Sequence, residues 1–430
     1  MKKLIIICAA MLAVSGTMFG QTDKEAEKAR KAALKEANNQ MDDAETALNN
    51  ANTTYQALKA DPSNADLTAK LQAALTDAES LISQAVKNET VGKDPRAWNI
   101  FGRVETIKMS RMLEQRQATG EMDMNAFFEN QYNIVKYFST CDACEKLPDE
   151  KGKERKVIYH DINQQLAQGP RQNLLIAGSN IFDKQPDDCI KYMNLYFDSF
   201  KDPFFASLDL EKTDTMKNDA YFILASAYLA KQDTTSAVPY LEKAIASNNY
   251  GQNAIFVLMQ ANKDNIAEKV KYMKMGYEKY PQQPAFYKNL YQEYMNEKKF
   301  DDARAVLDQV VATNDDVNEK AWASYYKAAT YYNEEKIQQA FDAFVKTTEL
   351  KDDYVEAFEG AGNCAWKLAM ENDKNKAVAK GWYEKAITYY EKVRELAPDD
   401  SDKWGYFLYA VYNNSGNVAK SKEFAKYAKK

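Results

Sequence analysis

Few residues in this chain are of types that do chemistry. The single histidine, His160, stands in Val157-Ile158-Tyr159-His160-Asp161. A catalytic imidazole needs a nucleophile or carboxylate brought beside it, and this neighbourhood matches no hydrolase signature, so it reads as a plain helical histidine. Cys141 and Cys144 form a Cys-x-x-Cys pair. Zinc would require two further ligands at suitable spacing, and neither a second pair nor a histidine cluster accompanies them. A thioredoxin-like pair lies between a strand and a helix, whereas the pattern here is helical. In an oxidising compartment the two thiols can close a local disulfide; that reading and a pair of free thiols both stay open. Cys189 and Cys364 read as small buried hydrophobes. The acidic pairs Asp301-Asp302, Asp352-Asp353 and Asp399-Asp400 fall at turns ahead of helices, where carboxylates cap amides and suit the helix dipole. No glycine-rich phosphate loop is present. No catalytic residue, metal or cofactor is therefore expected, and an enzyme would have to rest on His160 or on Cys141 with Cys144.

The elements that carry these residues begin with residues 1–20, which read as a signal peptide. Lys2 and Lys3 make a basic start, Leu4 to Phe19 an apolar run, and Gly16 or Gly20 a small cleavage position. The run is short for a span of roughly 20 residues, and Ser15, Gly16 and Thr17 interrupt it. Cys8 lies inside the run and not after it, against a lipid attachment site. A periplasmic, secreted or outer-membrane-associated location follows, with no transmembrane segment after signal removal. Without Lys2 and Lys3, the 57 basic residues fall to 55 against 63 acidic ones, a formal charge near -8. Nucleic-acid binding needs a concentrated basic footprint and is not expected.

Glycine and proline are scarce, and Ala, Leu, Lys, Glu and Gln dominate, so helix throughout is the economical reading. In residues 21–90 apolar positions recur in steps of three and four. Leu34, Ala37, Met41, Ala44, Leu48, Ala51, Tyr55 and Leu58 form one seam; Leu67, Leu71, Ala74, Ala78, Leu81 and Ala85 form a second after the break at Asp61-Pro62-Ser63. The short connection predicts an antiparallel hairpin.

Further on, helical pairs alternate with turns at Asp94-Pro95, Gly169-Pro170, Gln185-Pro186, Tyr280-Pro281 and Ala397-Pro398. The clearest unit runs from Asn218 to Gly251: Tyr221, Leu224, Ala225 and Tyr228 share one face of a first helix, Ala237, Leu241 and Ala244 one face of a second. Residues 284–317 repeat that order with Tyr287, Leu290, Tyr294, Ala303, Leu307 and Val310, and residues 321–354 keep Ala328, Tyr331, Ala340 and Phe344. A poorer unit lies between the first two, with Lys269 where alanine is expected. Ala357, Gly360, Ala361 and Cys364 begin another, whose second helix carries Ala386, Tyr390 and Val393 after extra residues around Met370 to Lys380, and Trp404, Leu408, Tyr412 and Gly416 begin a last. Trp98, Phe101 and Gly102, then Leu174, Ala177 and Gly178, mark degenerate copies in residues 94–210.

Large residues on one helix facing small ones on the next, at a period near 34, resemble the tetratricopeptide repeat. The resemblance is strongest over residues 218–317 and extends through 218–430. It implies an all-α fold, a right-handed superhelical array of antiparallel helix hairpins, and a scaffold that binds a protein or peptide. A glycan- or lipid-binding module is the alternative, and self-association stays open. In this family the first (A) helices line a groove through the second, fifth, ninth, twelfth and thirteenth residues of each unit. Carried over, these positions give Asp219, Phe222 and Ser226; Lys288, Gln292 and Asn296; Trp322, Tyr325, Tyr332 and Asn333; then Phe358 and Trp366, although units starting two or three residues off would turn the same aromatics into the core. The family's carboxylate clamp needs lysine and asparagine on successive A helices, and Lys288 stands alone, so binding of chaperone tails is not expected.

Overall fold

The computed structural model describes residues 22–428; the leader reading of residues 1–20 lies outside them. The chain divides into two compact units, one ending at Tyr240 and the other beginning at Leu241. All regular elements among the described residues are helical.

The first unit opens with α1 (Thr22–Ala60) and α2 (Ala65–Ala85), joined by a turn in which Asn64 caps α2 by accepting from the Leu67 amide at 3.0 Å. They pack along Ala37, Met41, Ala44, Leu48, Ala51, Tyr55 and Leu58, all buried as the heptads require. On α2 the buried seam is Leu71, Leu75, Ala78, Ile82 and Ala85. Leu71, Ala78 and Ala85 hold the expected seam, while Leu75 and Ile82 are buried in place of Ala74 and Leu81, which pack half-buried at its edge.

α3 (Pro95–Thr119), α4 (Met124–Glu145), α5 (His160–Ile181) and α6 (Pro186–Asp198) follow, each packed on the next. Short α7 (Leu210–Thr213) leads to α8 (Lys217–Ala230) and α9 (Thr234–Ala244). The expected break at Gly169-Pro170 is not there: Pro170 is buried inside α5. A residue before proline is driven out of helical conformation largely through its own Cβ, and Gly169 has none.

The second unit contains α10 (Gly251–Ala261), α11 (Ile266–Lys279), α12 (Pro284–Asn296), α13 (Phe300–Thr313), α14 (Val317–Asn333), α15 (Ile337–Leu350), α16 (Val355–Glu371), α17 (Lys376–Leu396), α18 (Gly405–Asn414) and α19 (Val418–Glu423). Each of these helices packs on the next. The small residues expected on the second helices, Ala303, Ala340 and Ala386, are fully buried. In the poorer unit the close approach is made instead by Gly276, where an added Cβ would fall 2.4 Å from the Phe286 ring. Lys269 pairs with Glu293 of α12, so it serves as an ion-pair partner where a small residue was expected.

Two kinds of turn join the hairpins. In the first, Gln232, Lys298, Glu335 and Gly416 adopt φ of 60°, 58°, 60° and 81°. The amides of Asp233, Lys299, Lys336 and Asn417 then donate back to the carbonyls of Tyr228, Tyr294, Tyr331 and Tyr412 at 2.8–3.0 Å. This left-handed cap with a 6→1 hydrogen bond satisfies a carbonyl at the helix end. The second kind is an Asn-x-x-Asn turn. Asn262 and Asn372 each donate a side-chain N–H to the carbonyl four residues earlier, and Asn265 and Asn375 cap α11 and α17.

Candidate functional site

α14, α15 and α16 enclose a pocket of about 230 Å³ in the second unit. α14 supplies Tyr325, Ala329, Tyr332 and Asn333; α15 supplies Phe344; α16 supplies Glu356, Glu359, Gly360 and Asn363. The α14 residues recur at the three- and four-residue steps that keep one helix face together, as do those on α16. Gly360 lets α16 approach Phe344, since a Cβ there would stand 2.7 Å from Cε1 of that ring.

The aromatic wall is held from behind. Tyr325 packs against Phe344 at 5.4 Å, Tyr354 at 5.5 Å and Tyr326 at 5.2 Å. Asn363 accepts from the Tyr390 hydroxyl at 2.6 Å. Tyr332 is exposed, and Lys367 Nζ lies 5.5 Å from its ring centroid.

The two carboxylates differ. For Glu356 burial opposes ionisation, but the hydrogen bond and charge of Lys403, at 3.0 Å, outweigh it and hold the carboxyl below its ordinary range. Glu359 is half-buried, and burial pushes its carboxyl up, with Lys403 opposing and Glu356 and Asp400 adding to the rise. Glu359 makes no ion pair or hydrogen bond among the described residues. Tyrosine faces beside an uncompensated carboxylate attract a cation. The volume lies below the roughly 300–1,000 Å³ of small-molecule pockets, which suits the end of one side chain.

Of the residues expected to line a groove, the structure brings Tyr325, Tyr332 and Asn333 together. Trp322 is half-buried among Tyr287, Tyr291 and Tyr326, at 5.9, 5.8 and 4.8 Å. Lys288 pairs with Glu319 at 2.9 Å and lies 4.8 Å from the Trp322 ring. Gln292 is exposed and donates to Asn296 on its own helix. Phe358 is not in the pocket: it is buried in the core, with Tyr389 beside it at 6.4 Å. Trp366 is half-buried against Tyr406 and Phe407, its indole N–H enclosed without a partner among the described residues. Phe222 is half-buried on α8 in the first unit, its carbonyl accepting from Ser226. Glu356, Glu359 and Asn363 were not singled out from the sequence. The signal was a pair of glutamates three apart on an A helix.

The residues set aside as catalytic candidates lie in the first unit. His160 Nδ1 is 2.5 Å from Asp142 Oδ1, Asp142 also pairs with Lys146, and the ring packs edge-on against Phe204. Cys141 and Cys144 are buried and unbridged in the structure. Both lie on α4, where Cys141 Sγ meets the Pro95 carbonyl at 3.2 Å and Cys144 Sγ is 4.0 Å from that of Gly92. Burial pushes both thiols up, Cys144 to about 11, away from the thiolate that a nucleophile or redox centre needs. Burial likewise pushes Cys189 and Cys364 to about 12.

Stacked helix hairpins with a side-chain-sized socket between successive A helices define a helical-repeat binding scaffold. Two stretches, residues 219–250 and 377–400, match the tetratricopeptide repeat family. Within its all-helical hairpin fold the chain thus carries two stretches of tetratricopeptide repeat, and repeats of this kind are protein-interaction scaffolds. No curated protein matches the sequence. Among solved structures, the C-terminal part of a TPR repeat-containing protein from Cytophaga hutchinsonii is 16% identical, with 59% of this chain and 93% of that one covered and a TM-score of 0.36. The pilF protein of Pseudomonas aeruginosa is 15% identical over 48% of this chain and 88% of its own, with a TM-score of 0.31. MamA is 17% identical over 42% of this chain and 97% of its own, with a TM-score of 0.29.

Proposed function

We propose that this chain is an exported scaffold that binds a protein segment along the A helices of its second unit, with a lysine or arginine of that segment seated in the α14–α16 pocket. The observation that carries the reading is Glu359, a half-buried carboxylate with no ion-pair partner in contact among the described residues, set among tyrosine faces in a space sized for one side chain. An incoming ammonium or guanidinium supplies the missing counter-charge and gains the ring faces together. Desolvated cation–π contacts contribute up to about 2 kcal/mol, and a charge-assisted hydrogen bond adds roughly 1.5–3 kcal/mol. Export rests on Lys2, Lys3 and the apolar run Leu4 to Phe19.

A photo-crosslinking residue at the exposed position of Tyr332 tests the binding reading in the native cell. The expected product joins it to one partner segment containing lysine or arginine, and its yield falls in Glu359→Gln. Equal yield from a crosslinker at Lys380, which does not line the pocket, would count against the site. So would an adduct on a segment without a basic residue. Persistence of the full-length, uncleaved chain in the cytoplasm would overturn export alone.

A further inference from the structure

A cavity assigned no role above lies in the first unit, between α5 and the segment from Leu208 to Met216, with a volume of about 590 Å³. That is within the range of small-molecule sites. Its wall holds Arg171, only 2% exposed. The guanidinium lies 4.5 Å from the Tyr196 ring centroid and 4.8 Å from that of Phe200. Nε donates to Ser199 Oγ at 2.6 Å and Nη1 to Asp214 Oδ2 at 2.7 Å. Nη2 is buried and has no partner among the described residues.

The Asp214 carboxylate is already occupied. Oδ2 also accepts from the Tyr196 hydroxyl at 2.7 Å, and Oδ1 accepts from the Met216 amide at 3.0 Å. The pair is thus neutral overall, with two unused N–H bonds on Nη2. Around it the cavity presents aliphatic surface through Leu175, Ile176, Leu208, Leu210 and Met216, beside Gln168, Gln172, Thr213 and Thr215. Ile176 and Met216 are 51% and 40% exposed at its margin.

We infer that this cavity binds an uncharged amphiphile, an aliphatic chain ending in a hydroxyl or ester oxygen that accepts from Arg171 Nη2. A neutral acceptor fits because Asp214 already balances the arginine, and a second anion would be placed against that carboxylate. The aliphatic body covers apolar surface at the rim, and the oxygen meets a donor whose burial without a partner is otherwise unfavourable. Met216, Gln168 and Gln172, long and unbranched, shift to admit it.

The probes are 1-octanol and octanoate, titrated into the full chain and followed by ligand-observed NMR and by thermal unfolding. Octanol is expected to bind roughly tenfold more tightly than octanoate and to raise the unfolding temperature. Leu175→Trp, which fills the cavity, should abolish binding while leaving the helical circular dichroism unchanged. Arg171→Lys keeps a cation for Asp214 and lacks Nη2, and should weaken octanol by roughly tenfold, the scale of one hydrogen bond. Octanoate binding as tightly as octanol overturns the neutral-ligand assignment. Octanol binding that survives Leu175→Trp, or no binding of either probe to the unaltered chain, overturns the site.

Discussion

Replacing Gly360 by alanine sets helix preference directly against packing. Alanine exceeds glycine in a helix interior by about 1 kcal/mol. At Gly381, inside α17, an added Cβ meets nothing within 4 Å, so Gly381→Ala should realise most of that gain. At Gly360 the same Cβ would stand 2.7 Å from Phe344 Cε1 and 2.8 Å from Cδ1 and Cζ, against 3.4 Å or more for an ordinary contact. The ring must move, and overpacking of this kind costs roughly 1–3 kcal/mol. The helix gain offsets part of it, so Gly360→Ala should range from nearly neutral to about 2 kcal/mol destabilised. The gap between the two variants is then roughly 1–3 kcal/mol. In a domain of 150–250 residues each kcal/mol shifts the midpoint by about 2–4 °C. Thermal and urea unfolding of both variants, read by circular dichroism, measures the gap. If Gly360→Ala gains as much as Gly381→Ala, then α16 does not approach Phe344 as described and the pocket wall is misplaced.

Glu359 gives a pH test of definite sign. Its carboxyl is raised by burial, so the fold retains the proton more tightly than the unfolded chain. Its contribution to stability is complete below the ordinary carboxylate range, about pH 4, and is lost as pH rises through the folded value. Glu359→Gln should match the unaltered chain in acid and exceed it at neutral pH; a constant difference across urea titrations at several pH values would contradict this. Arg304 is buried, bonds Asp301 and Glu334, and lies 4.6 Å from the Tyr331 ring. Arg304→Ala should cost roughly 3 kcal/mol, at the low end for a broken buried pair because Lys336 still reaches Glu334 at 2.8 Å; a loss below about 1 kcal/mol would assign the pair to the exposed class. Cys141 and Cys144 should resist iodoacetamide at about pH 8 in the native chain and react on unfolding, as mass spectrometry can score. Rapid native labelling of either would show that its thiol is not enclosed by α4 and the Gly92–Pro95 segment.

The fold was legible because its signals are local and repeated. Alanines recurring on the second helices mark where two helix axes come close, and Ala303, Ala340 and Ala386 are all fully buried. The turns were less legible. A left-handed residue is easily read when it is glycine, as at Gly416, but Gln232, Lys298 and Glu335 adopt the same conformation without its signature. What identifies them is the tyrosine whose carbonyl accepts the closing bond, four residues ahead of each. The Asn-x-x-Asn turns carried their own signal in the side chains that cap both helices, a pattern set apart from a single asparagine only once two copies are compared.

Half of the lining of the α14–α16 pocket was legible in the groove positions, and the other half traces to one residue of phase. Counting the groove positions from Ala321 places Tyr325, Tyr332 and Asn333 on the open face of α14, where the structure has them in one pocket. A step of 34 residues starts the next unit at Val355 and puts Glu356, Glu359 and Asn363 at its second, fifth and ninth positions. Starting one residue earlier selects Phe358 instead, and a one-residue shift turns a helix by about 100°, enough to exchange an open face for the core. Aromatic content alone could not correct the error, because Phe358 is as plausible a groove residue by type as Tyr325. Charge could have done so: a glutamate pair three apart on an A helix is difficult to bury without partners, which fixes the open face of α16 independently of where the repeat is taken to begin.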